Sequence, residues 1–271
     1  MVHCFHRLDI IHLASVLYTR SIDFLDVVVG GAFVFGTYGH SSVLDSRRGL
    51  IYIYGGYMQT QIRQYALTNR MLAYDPAKAL FQNLKDAPMP RFLHSGALLD
   101  GTIIFFGGNP HNESVSARAA PCYAGDFHAY DIECDSWHVL KQPVIPYSRV
   151  RIPRFGHTSV VFKDQMYIFG GFQGVLLNDI VRYTPGQCRY FKTRDNCLSS
   201  VRFGKKCAWS DRSKNCMEID SHLPGLEFFK CPRTSEADDL YCNGLPSCHD
   251  CLASGRKCHW CKGKRKDLFW N

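Results

Sequence analysis

Three histidines recur in one local setting. His40, His94 and His157 each follow an aromatic residue by two places (Tyr38, Phe92, Phe155) and precede a hydroxyl (Ser41, Ser95, Thr158). Three imidazoles from separate segments could meet and bind a metal ion. A residue repeated in register, however, answers the same local need each time. The pattern therefore assigns these histidines a structural part, such as a hydrogen bond to a neighbouring strand. Glycine pairs stand downstream of each, at Gly55-Gly56, Gly107-Gly108 and Gly170-Gly171. No Lys-Ser/Thr follows them, so they are not phosphate loops. The acidic pair Asp238-Asp239 lies in a cysteine-rich stretch and reads as solvated. These residues supply no catalytic set, and neither a cofactor nor a resident metal is expected. The one arrangement with metal-ligand spacing is Cys248-x-x-Cys251 followed by Cys258-x-x-Cys261, since four thiolates suit tetrahedral zinc. Disulfides are the favoured reading, because other cysteines surround the quartet and Trp260 stands where it can pack on a bridge.

The elements that carry these residues form a repeat. From His to the first Gly is 15, 13 and 13 residues, and the copies are offset by 54 and 63 residues. The runs Ile51-Tyr52-Ile53-Tyr54, Ile103-Ile104-Phe105-Phe106 and Tyr167-Ile168-Phe169 are apolar without alternation. That is expected of a strand covered on both faces. A third segment ends in Tyr74-Asp75, Tyr130-Asp131 and Tyr183-Thr184, and an aromatic follows each Tyr by seven residues: Phe81, Trp137 and Tyr190. Four strand segments per copy predict one four-stranded blade. The fold class is thus all-β, a partial kelch-type β-propeller of three blades over residues 31–187. Three blades do not close a ring, so the chain is expected to be a piece of a longer propeller. Residues 1–30 carry no blade signature and form an unassigned leader. Its apolar run Ile10–Leu17 is too short to span a membrane and makes a poor signal peptide.

Cysteine usage divides the chain near residue 188. Three of the 13 cysteines (Cys4, Cys122, Cys134) precede that point and ten follow it. The tail also holds 16 basic against 10 acidic residues, so +6 of the net +8 lies there. It reads as two small modules, 188–231 (Cys188, Cys197, Cys207, Cys216, Cys231) and 242–271 (Cys242, Cys248, Cys251, Cys258, Cys261). Segments this poor in aliphatic residues need covalent staples or a metal. Five cysteines in each cluster require a bridge between clusters or a partner beyond Asn271. Cys122 and Cys134 flank one blade strand and are expected to pair, leaving Cys4 free. The sequon Asn112-Glu113-Ser114 follows a blade strand in a polar loop, which makes Asn112 a candidate glycosylation site.

Several stretches resemble the kelch blades of attractin and attractin-like proteins. They are Tyr38-Gly39-His40-Ser41-Ser42-Val43 through Gly55-Gly56-Tyr57, Phe105 to Asn112, Asp126 to Trp137, and Arg154-Phe155-Gly156-His157 with Phe169-Gly170-Gly171-Phe172. Cys207-Ala208-Trp209 and Cys258-His259-Trp260-Cys261 resemble plexin-semaphorin-integrin (PSI) modules, although Ser210 stands where the pattern has Cys. The resemblance runs from about residue 36 to 262. It implies an extracellular portion of a single-pass cell-surface glycoprotein, non-catalytic, binding a protein ligand through propeller loops in cell interaction or signalling. Membrane attachment would lie in parts outside this chain. The basic tail is not read as a nucleic-acid site, because a basic disulfide-rich module more often meets acidic surfaces or nothing specific. The alternative is an intracellular kelch adaptor with a zinc-binding tail. Oxidised or zinc-bound cysteines would decide between them.

Overall fold

The computed structural model describes residues 30–61, 64–111, 123–140, 152–219, 226–228 and 231. The first blade opens after two short strands, β1 (Gly30–Gly31) and β2 (Thr37–Tyr38). It comprises β3 (Ser41–Asp45) and β4 (Leu50–Tyr54), the hairpin β5 (Tyr57–Gln61) and β6 (Gln64–Leu67), then β7 (Met71–Asp75) and β8 (Leu80–Asn83). Strands β3, β4, β7 and β8 pair antiparallel in that order, and β1 adds a parallel edge to β8. The hairpin β5–β6 leaves the blade and pairs with β2.

The second blade holds β9 (Ser95–Leu99), β10 (Thr102–Phe106), β11 (Phe127–Asp131) and β12 (Ser136–Val139), again antiparallel in order. The third has β13 (Thr158–Phe162), β14 (Gln165–Phe169) and β15 (Ile180–Tyr183), and there it stops. The fourth strand expected around Tyr190 is absent; Cys188–Tyr190 is a 3₁₀ turn and Tyr190 is 65% exposed. The reason is in the turn. Asp75 and Asp131 each accept two backbone N–H groups, from Ala77 and Lys78 and from Glu133 and Cys134, which closes the hairpin to the fourth strand. Blade three has Thr184 in place of that aspartate, so the carboxylate that closes the turn is missing; Pro185 matches Pro76 of the first blade and is not the difference.

Blades stack through the two faces of their second strands. Tyr52, Tyr54 and Met71 meet Ile103, Phe105 and Tyr130 between the first and second blades. Ile104, Phe106 and Phe127 meet Met166, Ile168 and Tyr183 between the second and third. Strand β10 therefore buries alternate residues against opposite neighbours, which accounts for its unbroken apolar run. Each such side chain contributes about 1.5–3 kcal/mol by leaving water.

Beyond residue 188 lie a short helix α1 (Arg194–Leu198) and three strands, β16 (Cys207–Ser210), β17 (Asn215–Glu218) and β18 (Leu226–Glu227). The core here is built on Cys188–Cys207, Cys197–Cys216 and Trp209. Two bridges across such a small sheet replace the aliphatic core it lacks. Ser210, at the position where a Cys was expected, instead accepts from the Ser213 backbone and hydroxyl and shapes the β16–β17 turn.

The expected Cys122–Cys134 pairing is overturned: Cys134 is bonded to Cys231. Cys134 lies in the β11–β12 turn, at the end of the blade that the cysteine-rich module covers through Lys205 and Lys206, which brings it to Cys231. The odd count in the first cysteine cluster is thereby met by a partner in the propeller, neither in the second cluster nor beyond Asn271. Cys4, Cys122, Asn112 and the quartet at Cys248, Cys251, Cys258 and Cys261, together with Cys242, lie outside the described residues.

Candidate interaction surface

Each blade has a hairpin end, where its first and second strands turn, and a glycine end, where the Gly-Gly pair leaves the second strand. At the glycine end every blade is fastened to the next by the same atoms. Ser41 Oγ lies 2.8 Å from His94 Nε2, and Ser95 Oγ lies 2.9 Å from His157 Nε2. Gly56 N–H donates to Arg91 C=O and Gly108 N–H to Arg154 C=O, both at 2.8 Å. Leu93 N–H donates to Gly39 C=O and Gly156 N–H to Leu93 C=O, so the residue before each histidine joins a hydrogen-bonded collar. His94 and His157 thus each face a hydroxyl of the preceding blade, and among the described residues no group of acids, cysteines and histidines could hold a metal.

Glycine is required at Gly55 and Gly107 for two reasons. Both have positive φ, and a Cβ would lie 2.5 Å and 2.7 Å from the carbonyl of the next blade's arginine. Leu93 occupies the collar position held elsewhere by Gly39 and Gly156, with φ +53°. A leucine in the left-handed region costs on the order of 1–3 kcal/mol.

Burial lowers the pKa of all three histidines. For His94 the Arg91 guanidinium adds to the effect, and for His157 burial and Arg154 bring it to about 4. They are therefore neutral at neutral pH, which suits a hydrogen bond to a hydroxyl. Two arginines complete the frame. Arg91 and Arg154, both fully buried, reach the first Gly carbonyl of their own blade (Gly107 at 2.8 Å, Gly170 at 2.9 Å) and a carboxylate before the third strand. Those carboxylates are Asp126 at 3.2 Å and Asp179 at 2.6 Å. Burial alone would raise the Asp126 carboxyl, but hydrogen bonds from His128 and Arg91 hold it far below the usual range. The sequence reading missed these pairs. The available signal was an Arg three residues before His94 and His157 and an Asp just before β11 and β15.

Outside this frame the glycine end is aromatic. Tyr38 stacks on Tyr57 and both meet Phe92; Tyr123, Phe155 and Phe172 form the equivalent group one blade on. Tyr38 and Leu93 are exposed there. The hairpin end of the second blade is covered. Lys205 Nζ meets Asp100 at 2.7 Å, Lys206 Nζ meets Glu133 at 2.9 Å, and Cys134–Cys231 bonds the two parts covalently. An open cleft of about 340 Å³ runs along the innermost strands between Val43, Ala97 and Val160.

A family model, the attractin/LZTR1 β-propeller, matches residues 18–181. The chain belongs to that family. The match starts within the segment read from sequence as an unassigned leader, ahead of a further glycine pair, Gly30-Gly31, whose Gly31 has φ +86°, close to Gly56, Gly108 and Gly171. Protein tag-53 of Caenorhabditis elegans is 25% identical over 87% of this chain. Multiple epidermal growth factor-like domains protein 8 of rat is 26% identical over 83%, and human host cell factor 2 is 27% identical over 54%. The chain spans 18%, 8% and 19% of these relatives' lengths.

Proposed function

We propose that this chain is a non-catalytic protein-interaction segment of an attractin-like cell-surface protein, and that its partner binds the glycine-end loops of the propeller. The observation that carries this reading is the placement of the cysteine-rich module. It is bonded to the hairpin end of the second blade by Cys134–Cys231 and by Lys205 and Lys206, and among the described residues no module covers the opposite end. Loops on a rigid sheet scaffold are where propellers and other β-folds bind partners. Exposed Tyr38 and Leu93 sit there beside a frame of buried arginines, and amphipathic aromatics are favoured at protein interfaces. Three disulfides among the described residues support an oxidising compartment.

Labelled chain secreted from animal cells, with its disulfides intact, should bind cultured cells in a protease-sensitive manner. Tyr38→Glu at the open end should reduce that binding at least tenfold, while Lys214→Glu, an exposed change in the cysteine-rich module, should leave it intact. Equal loss in both variants, or no loss in either, would overturn the placement. Reduced Cys248, Cys251, Cys258 and Cys261 carrying stoichiometric zinc would instead favour an intracellular adaptor.

A further inference from the structure

Three disulfides join described residues, and they differ in what they hold together. Cys188–Cys207 and Cys197–Cys216 lie inside the cysteine-rich module, packed with Trp209 in its core, and all four cysteines are at most 6% exposed. Cys134–Cys231 crosses from the β11–β12 turn to the module, and both of its cysteines are partly exposed. A thiolate must reach a sulfur to open a disulfide. The crossing bridge is therefore the one presented to a reductant.

The seat beside it is polar. Lys205 Nζ meets Asp100 at 2.7 Å, and Lys206 Nζ meets the fully buried Asp131 at 2.5 Å and Glu133 at 2.9 Å. Asp131 also holds the turn that carries Cys134, by accepting the Cys134 N–H. Phe203 C=O accepts from Gly186 N–H and from the Tyr183 hydroxyl. Among the described residues the buried apolar clusters of the blades and of the module share no member. Asp100 and Glu133 are open to solvent, and ion pairs of that kind hold weakly and weaken further in salt. With the bridge closed, their weakness is masked.

We propose that Cys134–Cys231 is a reducible clasp, opened selectively by a dithiol to turn a fixed junction between propeller and module into a loose, salt-sensitive one. One thiolate of the dithiol attacks a sulfur of the bridge and displaces the other cysteine as a thiolate. The second thiol of the reagent then attacks the mixed disulfide, closes the reagent's own disulfide and frees the remaining cysteine. Two electrons and two protons pass from the dithiol to Cys134 and Cys231, which end as thiols. The backbone still joins Tyr183 to Cys188, so the two parts stay at high effective concentration and reoxidation restores the bridge.

The test treats the secreted full chain with graded dithiothreitol, without denaturant, followed by alkylation and peptide mapping. Cys134 and Cys231 should be labelled about tenfold faster than Cys188, Cys197, Cys207 and Cys216. The seat is read from the acylation rates of Lys205 and Lys206, whose side chains are 11% and 14% exposed, against Lys214 at 73% as the internal reference. In the oxidised protein both should react slowly at any salt concentration. After selective reduction both should react several-fold faster, and faster again in high salt. The double variant Cys134→Ala with Cys231→Ala, which carries no alkyl group, should match the reduced protein without any dithiol. Labelling of all six cysteines at one rate would overturn the inference. So would Lys205 and Lys206 acylation that stays slow and indifferent to salt once the bridge is open.

Discussion

A hydroxyl 2.9 Å from an imidazole nitrogen is worth little in water, yet at Ser95 and His157 both groups are buried and neither has solvent to fall back on. Removing one partner leaves the other unsatisfied, which costs about 1–3 kcal/mol. Ser95→Ala should therefore destabilise the protein by that amount in urea unfolding, whereas Ser42→Ala, an exposed neighbour in the first blade, should cost a few tenths. The pH dependence follows with a definite sign. His157 has a folded pKa of about 4, below the value near 6.5 of an unfolded chain. Above 6.5 both states are neutral and the shift has no effect. Between 6.5 and 4 the unfolded chain takes up the proton first, so stability falls with acidification, by up to about 3 kcal/mol from this group. Asp126 and Asp179, both lowered, lose their contribution only below the ordinary carboxylate range, so the two windows separate. Denaturation at pH 7.5, 5.5 and 4.5 should show the loss in the wild type and a flatter profile in His157→Gln. Equal slopes would show that His157 does not govern this window.

At the scale of elements, the sequence carried what repeats and concealed what occurs once. The second strands β4, β10 and β14 were legible from their unbroken apolar runs, of which β10 is the one buried throughout between two blades, and the part of His94 and His157 was legible because the copies share one local setting. The lost fourth strand of the third blade was also written there, in Thr184 replacing the aspartate that closes the turn in the other two, but the spacing of Tyr190 outweighed it. Disulfide pairing was not legible, because it depends on which end of a blade each cysteine occupies. Cys134–Cys231 closes a separation of 97 residues, worth roughly 4–5 kcal/mol in the chain-entropy model. Cys134→Ser should lower the unfolding midpoint and speed amide exchange in Ser200–Phe203, which packs on β11 and β12, while the bridges Cys188–Cys207 and Cys197–Cys216 persist on peptide mapping. Recovery of Cys122 linked to Cys134 from the wild type would reverse the assignment.

For the molecule as a whole, the blades are unequal in what covers them. The second has a neighbour on each face, the cysteine-rich module at its hairpin end and the histidine latches on both sides. Among the described residues the third has one covered face, three strands and an unpaired outer edge at β15. Local opening should follow that order, since an opening that exposes less new apolar surface costs less free energy. Native-state hydrogen exchange should find the amides of Ile103, Ile104 and Phe105 exchanging only through global unfolding. Met166, Tyr167 and Ile168, the matching positions in β14, should open at least 2 kcal/mol sooner, although Met166 and Ile168 are as deeply buried as Ile103 and Ile104. Burial measured residue by residue predicts equal protection at these sites; burial measured blade by blade predicts the gap. Uniform protection across β10 and β14 would mean that the three sheets unfold as one unit and that the open face of the third blade carries no energetic penalty.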